Sequence, residues 1–329
     1  MPNQLSSAGA LLADFHAAID VSSTEDMPAT CARFLSPAAP YRGMRPFYEQ
    51  TGPADIAAIY APFKAAMTTW QRRPDIHFAS HDHLSPDAAI WAVSMGTILG
   101  DFTAPWLGIP PTDKATALTY VTMAKVEGGQ ITELVEFFDI LSVLTQAGLN
   151  PYADVQSGAH RIFPGPKTHD GLGPHDASET EATHALTTAM LDDLAKSYTS
   201  PADHMARFWH PDMNWFGPTG IGTSLGFPGY RRGHTGPFEE KLDTTDIVDW
   251  EIATAQGRFS AVMWWPCLRM RNIGGYMGAP VSDKLADMRV IDLYRRDGDK
   301  LAENWIFIDM LHFLAGQGID LLANIGGAK

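Results

Sequence analysis

The sequence predicts an α+β fold that occurs twice in tandem. Two observations on each half support this fold class: helical periodicity comes first, and a series of strands separated by turn residues follows. That order is typical of α+β domains, whereas a parallel α/β sheet would alternate helices with strands. The third observation is length, because 329 residues with 45% apolar content are enough for two separate cores.

Helices are predicted at the start of each half, where apolar residues recur at the spacing of one helix face. These residues are Leu11, Leu12, Phe15, Ala18 and Ile19 in the first half, and Leu186, Met190 and Leu194 in the second. A second, short helix is predicted to end near Ala32-Arg-Phe34 and near Ala206-Arg-Phe208. Loop-rich regions follow at Tyr41–Pro53 and Trp215–Gly236.

Four strands are predicted in the remainder of each half. They lie at 75–83, 88–99, 117–126 and 131–139, and at 247–255, 259–270, 286–296 and 301–309. Glu127-Gly-Gly129 and Arg296-Asp-Gly-Asp299 have the composition of hairpin turns. We therefore expect a curved antiparallel sheet wrapped against the early helices. This arrangement forms a cone with an apolar interior, where a ligand would bind.

A repeat relates the two halves. At a constant shift of 170 residues, ten residues of the first half recur in the second without a gap: Gly108, Pro110, Asp113, Lys114, Gly128, Glu133, Asp139, Leu141, Leu144 and Gly148. Self-similarity of this kind indicates tandem copies of one domain. We predict a first domain at 1–150, a Pro/Gly-rich linker at 151–179 and a second domain at 180–329.

Charge and composition exclude several classes of partner. The formal net charge of -14 disfavours nucleic acid and anionic membrane surfaces. Cys31 and Cys267 are too few and too far apart for a disulfide framework or a metal knuckle. The first residues lack the pattern of a signal peptide, and no apolar run reaches the length of a membrane span. A cytoplasmic location is the default expectation.

Several short motifs are similar to a known family. They are Gly108-Ile-Pro-Pro-Thr-Asp-Lys114, Glu127-Gly-Gly-Gln-Ile131, Phe137-Phe-Asp139 and Gln146-Ala-Gly148 in the first copy, and Gly278 to Lys284, Trp305-Ile-Phe-Ile-Asp309 and Gln317-Gly318 in the second. Each copy resembles the SnoaL-like polyketide cyclases of the nuclear transport factor 2-like superfamily, which have a cystatin-like α+β fold. One departure recurs, because Asp113 and Asp283 stand where the family has glycine. Aspartate tolerates the left-handed conformation better than most residues.

The resemblance implies a cofactor-free and metal-free acid/base enzyme, with Asp139 and Asp309 at the position of its acidic catalyst. Strand alternation places Phe137 on the face of Asp139, and Trp305 and Phe307 on the face of Asp309. A carboxylate among aromatic side chains is desolvated, which raises its pKa toward the range useful for proton transfer. The alternative role is an N-cap of the Leu-rich segment that follows each aspartate.

Histidines and aromatic residues complete the predicted site. His234 in a loop and His312 three residues after Asp309 are the candidate partners of the aspartates. His77, His81 and His83 alternate along one predicted strand, which favours a polar sheet face over a metal site. The residues predicted to bind substrate are Phe137, Trp106, His77, Trp215, Tyr230, Trp264, Trp265, Trp305 and Phe307. Aromatic lining suits a flat, largely apolar ligand, although each of these residues is also a candidate core residue.

Two functions remain open at this stage. The first is a cyclase or isomerase that closes or rearranges a small, partly aromatic carbonyl compound by acid/base catalysis. The second is a protein that binds a small apolar or aromatic molecule without chemistry, and a hydrolase or dehydratase on the same fold is a further alternative. We also expect the two copies to form a pseudo-dimer within the chain, and a homodimer is a further expectation.

Overall fold

The computed structural model describes residues 4–85, 89–149, 161–197 and 201–325. The chain divides into two compact units. The described residues of the first unit fall within 1–151, 169–173 and 320–329, and those of the second fall within 152–168 and 174–319. Both units are α+β, and each contains one mixed β-sheet preceded by helices.

The first copy contains four helices and six strands among its described residues. The elements are α1 (Gln4–Val21), α2 (Met27–Phe34), β1 (Pro40–Gly43), β2 (Glu49–Thr51), α3 (Gly52–Ala66), β3 (Met67–His81), β4 (Ile90–Phe102), β5 (Ala115–Glu127), β6 (Gln130–Phe138) and α4 (Ile140–Gln146). The strand order is β2-β1-β6-β5-β4-β3. His83 follows the end of β3, so it does not continue the predicted alternation with His77 and His81.

The second copy repeats this plan, but several short helices and strands occupy the region between its second helix and its long strands. Its elements are α5 (Thr180–Ser197), α6 (Ala202–Phe208), β7 (Trp209–Phe216), β8 (Thr223–Leu225), α7 (Gly226–Tyr230), α8 (Gly236–Lys241), β9 (Leu242–Ile247), β10 (Ile252–Gln256), β11 (Phe259–Asn272), β12 (Ser282–Asp297), β13 (Lys300–Ile308) and α9 (Met310–Gly316). A π-helical turn, Arg231–Thr235, joins α7 to α8. The sheet order is β10-β11-β12-β13-β7-β8, and β9 pairs with β11.

The predicted antiparallel sheet of each copy is present, and one parallel strand pair is added to it. The long strands are antiparallel, but β1 runs parallel to β6 and β7 runs parallel to β13. β1 lies almost wholly in the predicted loop Tyr41–Pro53, whereas β7 lies mostly before the predicted loop Trp215–Gly236. β1 has only four residues, which is too short for period-two alternation to be recognised. Each sheet is therefore mixed, and its last long strand, β6 or β13, pairs with a neighbouring strand on both sides.

Hairpin geometry confirms the predicted turns. Gly128 and Gly129 form a two-residue loop with φ values of 58° and 79°, as a turn with two left-handed residues requires. Gly298 has φ 61° at the matching turn of the second copy. Asp113 also adopts a left-handed conformation, with φ 54°, so the aspartate that replaces the family's glycine keeps a conformation that glycine favours.

The core of each copy lies between the sheet and the helices that precede it. In the first copy, Leu12, Phe15 and Ile19 of α1 are fully buried, and α1 packs against β3 and β4. In the second copy, Leu191 of α5 is buried on the sheet in the same way. A polar side chain on this helix-covered face is removed from water.

Candidate active site

A buried carboxylate lies in the middle of β12. Asp292 and Tyr294 alternate to the same face of the strand, and both are more than nine-tenths buried. Asn304 of the neighbouring strand β13 faces them and donates a hydrogen bond from Nδ2 to Oδ1 of Asp292 at 2.9 Å. The Tyr294 hydroxyl also hydrogen-bonds with this carboxylate. Burial raises the pKa of Asp292 to about 7, and the two hydrogen bonds oppose that rise.

A cavity of about 90 Å³ adjoins this carboxylate on the helix-covered face. Its lining is mainly apolar and comes from α5, α8, the segment after β9, and strands β11 to β13. The lining residues are Leu191, Leu194, Ala195, His234, Phe238, Ile247, Val248, Asp249, Trp250, Trp264, Cys267, Leu268, Met288, Val290, Asp292, Tyr294, Ile306 and Ile308. Asp249 is exposed and marks the solvent side, whereas Asp292 lies inside.

His234 brings a second polar group to the same cavity. It lies in the π-helical turn, a distortion that is frequent at functional sites. Its ring stacks on Trp215 with centroids 4.2 Å apart and lies 5.2 Å from the ring of Tyr230. Burial lowers the pKa of His234 to about 3, so the imidazole is neutral at physiological pH. Its Nδ1 atom is buried and has no hydrogen-bond partner among the described residues.

These two groups can transfer a proton and bind a polar atom of a ligand. A carboxyl group with a pKa near 7 is well suited to act as general base or acid at neutral pH. A neutral imidazole donates a hydrogen bond from one nitrogen and accepts one at the other. The arrangement is therefore suited to proton abstraction next to a carbonyl group that His234 holds.

The structure gathers some of the predicted residues of the second copy around this cavity and places others elsewhere. His234 and Trp264 line it, and Trp215 and Tyr230 pack against His234. Trp265 points to the other side of β11, where the Arg289 guanidinium lies 3.9 Å from its ring centroid.

Trp305 and Phe307 share one face of β13, as alternation predicts, whereas Asp309 follows the strand as the N-cap of α9. That face is opposite to the cavity, which is lined by Ile306 and Ile308. Trp305 is fully buried there and donates a hydrogen bond from Nε1 to the Pro164 carbonyl.

The two predicted catalytic aspartates occupy matching positions at helix N-termini. Asp309 accepts a hydrogen bond from the backbone N–H of His312 at 3.0 Å, and Asp139 accepts one from the backbone N–H of Ser142 at 3.3 Å. Both carboxylates are buried. This geometry is that of an N-cap, which satisfies a helix N–H that has no partner within the helix. The His312 side chain is half-buried. The cap itself uses the backbone N–H of His312 and not its imidazole.

The first copy also holds a buried carboxylate, but polar side chains surround it. Glu136 of β6 is fully buried and accepts hydrogen bonds from the Tyr60 hydroxyl at 2.5 Å and from the Thr122 hydroxyl at 2.8 Å. Burial raises the pKa of Glu136, whereas Tyr60 and the Arg72 guanidinium oppose the rise. Arg72 lies over the ring of Tyr120, 4.7 Å from its centroid.

The remaining predicted residues of the first copy lie in its core or at its edge. Phe137 is fully buried on the face of β6 opposite to Glu136. Trp106 is buried and stacks on Phe63, with ring centroids 4.5 Å apart. His77 is half-buried, and its Nε2 atom lies 3.0 Å from the carbonyl oxygen of Gly9.

Sequence reasoning missed both Asp292 and Glu136. A usable signal was present, since Val290-Ile-Asp-Leu-Tyr294 and Leu134-Val-Glu-Phe-Phe138 each place one carboxylate inside an apolar strand. A charged residue flanked by apolar residues on both sides is expected to be buried and therefore paired or protonated. Among the described residues, no group of three His, Cys, Asp or Glu side chains is arranged to hold a metal ion.

The comparisons with known proteins concern the first copy most directly. Residues 14–147 match the sequence model of the SnoaL-like polyketide cyclase family. The first copy is a SnoaL-like domain. The second copy repeats its motifs and its fold. No curated protein matches the chain, and no helix among the described residues is long and apolar enough to cross a membrane.

Solved structures with a similar fold match about half of the chain each. AclR from Streptomyces galilaeus, described as a candidate hydroxylase, is 16% identical over 45% of this chain and 89% of its own, with a TM-score of 0.37. A candidate SnoaL-like polyketide cyclase from Jannaschia sp. CCS1 is 15% identical over 46% of this chain and 98% of its own, with a TM-score of 0.36. TsrD from Streptomyces laurentii is 19% identical over 43% and 97%, with a TM-score of 0.34.

Proposed function

We propose that the second copy is a cofactor-independent acid/base enzyme of the polyketide cyclase type, in which Asp292 moves the proton. The observation that carries this proposal is a buried carboxylate with a pKa of about 7 on the wall of an apolar cavity. Perturbed carboxyl groups in cavities are markers of active sites. The family match of the first copy supports a reaction of the cyclase or isomerase class.

In the proposed reaction the Asp292 carboxylate removes a proton from the carbon next to a substrate carbonyl. The neutral imidazole of His234 donates a hydrogen bond to the enolate oxygen that develops. The enolate carbon then attacks a second carbonyl carbon of the same molecule, and the new alkoxide takes the proton back from Asp292. An isomerisation uses the same base but returns the proton to a different carbon. Tyr294 and Asn304 act as positioning residues, because each holds the Asp292 carboxyl group by a hydrogen bond.

The second copy fits this role better than the first for a geometric reason. Glu136 and Asp292 each accept two side-chain hydrogen bonds, but Glu136 also lies near the positive charge of Arg72, which opposes the rise of its pKa. The matching face of the second copy instead borders the cavity. We therefore assign proton transfer to the second copy and leave Glu136 as part of a buried polar network.

Hydrogen–deuterium exchange of the α-protons of cyclohexanone in D2O tests proton abstraction without knowledge of the natural substrate. We expect the wild-type chain to accelerate exchange above buffer, as followed by proton NMR, and Asp292→Asn to lower that acceleration by about 10²- to 10⁴-fold. Asp309→Asn and Asp139→Asn are the matched controls, because asparagine can still cap a helix.

The outcomes separate the alternatives. Loss of exchange in Asp309→Asn or Asp139→Asn, with Asp292→Asn unaffected, would return the chemistry to the aspartates predicted from the sequence. Binding of cyclohexanone with exchange no faster than buffer would favour a binding protein without chemistry. The pseudo-dimer of the two copies stays a prediction. The homodimer also stays a prediction, and the mass of the protein in solution would test it.

A further inference from the structure

The composition of the cavity wall restricts the charge of its ligand. Among the described residues that line it, none is a lysine or an arginine. Its two carboxylates are Asp292 inside and Asp249 at the exposed side. An anionic ligand would lose its hydration there without gaining a cationic partner, and it would meet Asp292 at close range. A neutral ligand carries no such penalty.

The volume of the cavity restricts the size of its ligand. Drug-sized ligands occupy sites of about 300 to 1,000 Å³, whereas this cavity measures about 90 Å³. An apolar cavity of about 150 Å³ is known to hold benzene. One six-membered ring is therefore the most that the cavity can enclose, when flexible lining side chains such as Met288 adjust. A fused second ring would have to lie outside the enclosed volume, on the exposed side beside Asp249.

His234 supplies the point of attachment for a polar atom. Its buried Nδ1 has no hydrogen-bond partner among the described residues, and a buried polar atom left unpaired is costly. A carbonyl or hydroxyl oxygen of a ligand would satisfy the imidazole. A hydrocarbon of the same shape would leave it unpaired.

We infer that the cavity of the second copy selects an uncharged carbonyl compound no larger than one six-membered ring, whose oxygen His234 binds. This inference takes one element from the proposed function, namely that the ligand binds in that cavity. It narrows the ligand beyond the general class of small apolar compounds. It also disfavours polycyclic and carboxylate-bearing compounds as ligands of this site.

Calorimetric titration of the full wild-type chain at pH 8 with four compounds tests the inference. We expect cyclohexanone to bind with a Kd of about 0.01 to 1 mM. Cyclohexanecarboxylate should bind at least about 100-fold more weakly because of its charge. Methylenecyclohexane, which lacks the oxygen, and the two-ring ketone 2-decalone should each bind at least about 10-fold more weakly than cyclohexanone. Equal or tighter binding of the carboxylate or of 2-decalone overturns the inference, and so does failure of cyclohexanone to bind.

Variants assign the selectivity to named residues. Ile306→Ala enlarges the cavity and should improve 2-decalone binding about 10-fold or more, whereas Leu293→Ala, a similar deletion on the opposite face of the same sheet, should not. His234→Phe should weaken cyclohexanone about 10-fold and leave methylenecyclohexane within about twofold. A uniform effect on both compounds, or a gain for 2-decalone in both cavity variants, contradicts the assignment.

The inference and the proposed function fail in different ways. If cyclohexanone binds with the expected selectivity but its α-protons exchange no faster than in buffer, the ligand class stands and the catalytic role of Asp292 does not. If exchange is accelerated but 2-decalone or the carboxylate binds as tightly as cyclohexanone, the catalytic role stands and the ligand class is wrong.

Discussion

Replacing Asp292 with asparagine should change how stability depends on pH. In the folded chain burial raises the pKa of this carboxyl group from 3.8 to about 7. In the unfolded chain the same group is hydrated and keeps its ordinary pKa. Between these two values the folded protein holds a proton that the unfolded chain has lost. The free energy of unfolding must therefore fall as the pH rises through this window.

The size of the effect follows from the difference between the two pKa values. About 7 minus 3.8 is about 3 pKa units, and each unit corresponds to about 1.4 kcal/mol. The contribution of Asp292 is fully present below pH 3.8 and is lost by about pH 7. Asp292→Asn lacks the titration, so relative to wild type it should gain up to about 4 kcal/mol between pH 4 and pH 8.

Urea unfolding of the two proteins at pH 4, 5, 6, 7 and 8 measures this gain. The difference between variant and wild type cancels the other titrating groups, because both chains contain them. Asp249→Asn is the matched control, since it removes an exposed carboxylate from the same cavity, and its difference should stay within about 0.5 kcal/mol across the range. A flat difference for Asp292→Asn, or one that falls with rising pH, would refute the burial argument and with it the proposed base.

The remaining predictions concern the chemistry and the two copies. Cyclohexanone exchange should rise through about pH 7 and level off above it, because Asp292 must be ionised to act as a base. Burial lowers the pKa of His234 to about 3, so the wild type should lose stability relative to His234→Phe as the pH falls below about 6.5, as measured by urea unfolding. Asp309→Ala should cost about 1 kcal/mol in thermal unfolding by removing the cap of α9, whereas Asp309→Asn should cost less. Tyr60→Phe should cost about 1 to 3 kcal/mol by removing a donor to Glu136 and should leave the exchange rate unchanged.

Local patterns predicted the long elements well. Helix α1 follows from apolar spacing alone, and the hairpin at Gly128 follows from turn chemistry. Helix α3, Gly52–Ala66, was missed although Ile56, Tyr60 and Phe63 recur on one face. Pro53 near its start and Pro62 within it are typical of loops, and they concealed this pattern.

The face of the sheet that carries the site could not be derived in the same way. Alternation places Trp305 and Phe307 on one face of β13, but it does not tell which face the helices cover. Both faces of β13 are buried, with Trp305 at 0% and Ile306 at 9% exposure, so hydrophobicity does not distinguish them. The helix-covered face is set by how the chain packs in three dimensions. For that reason the prediction favoured the aromatic face, whereas the cavity lies on the other.

The two copies place an acidic residue at the same point of the fold but on different strands. Thr122 and Glu136 are a cross-strand pair in the first copy, and the shift of 170 residues carries them to the pair Asp292 and Ile306. In the first copy Glu136 accepts hydrogen bonds from Tyr60 and Thr122. The matching residue of the second copy is Ile306, an apolar side chain that lines the cavity. Moving the carboxylate to the neighbouring strand keeps it buried, gives it Asn304 and Tyr294 as donors, and places it on the wall of the cavity. The buried carboxylate of the first copy therefore lies in a polar network that includes Arg72, whereas that of the second copy lies beside a cavity.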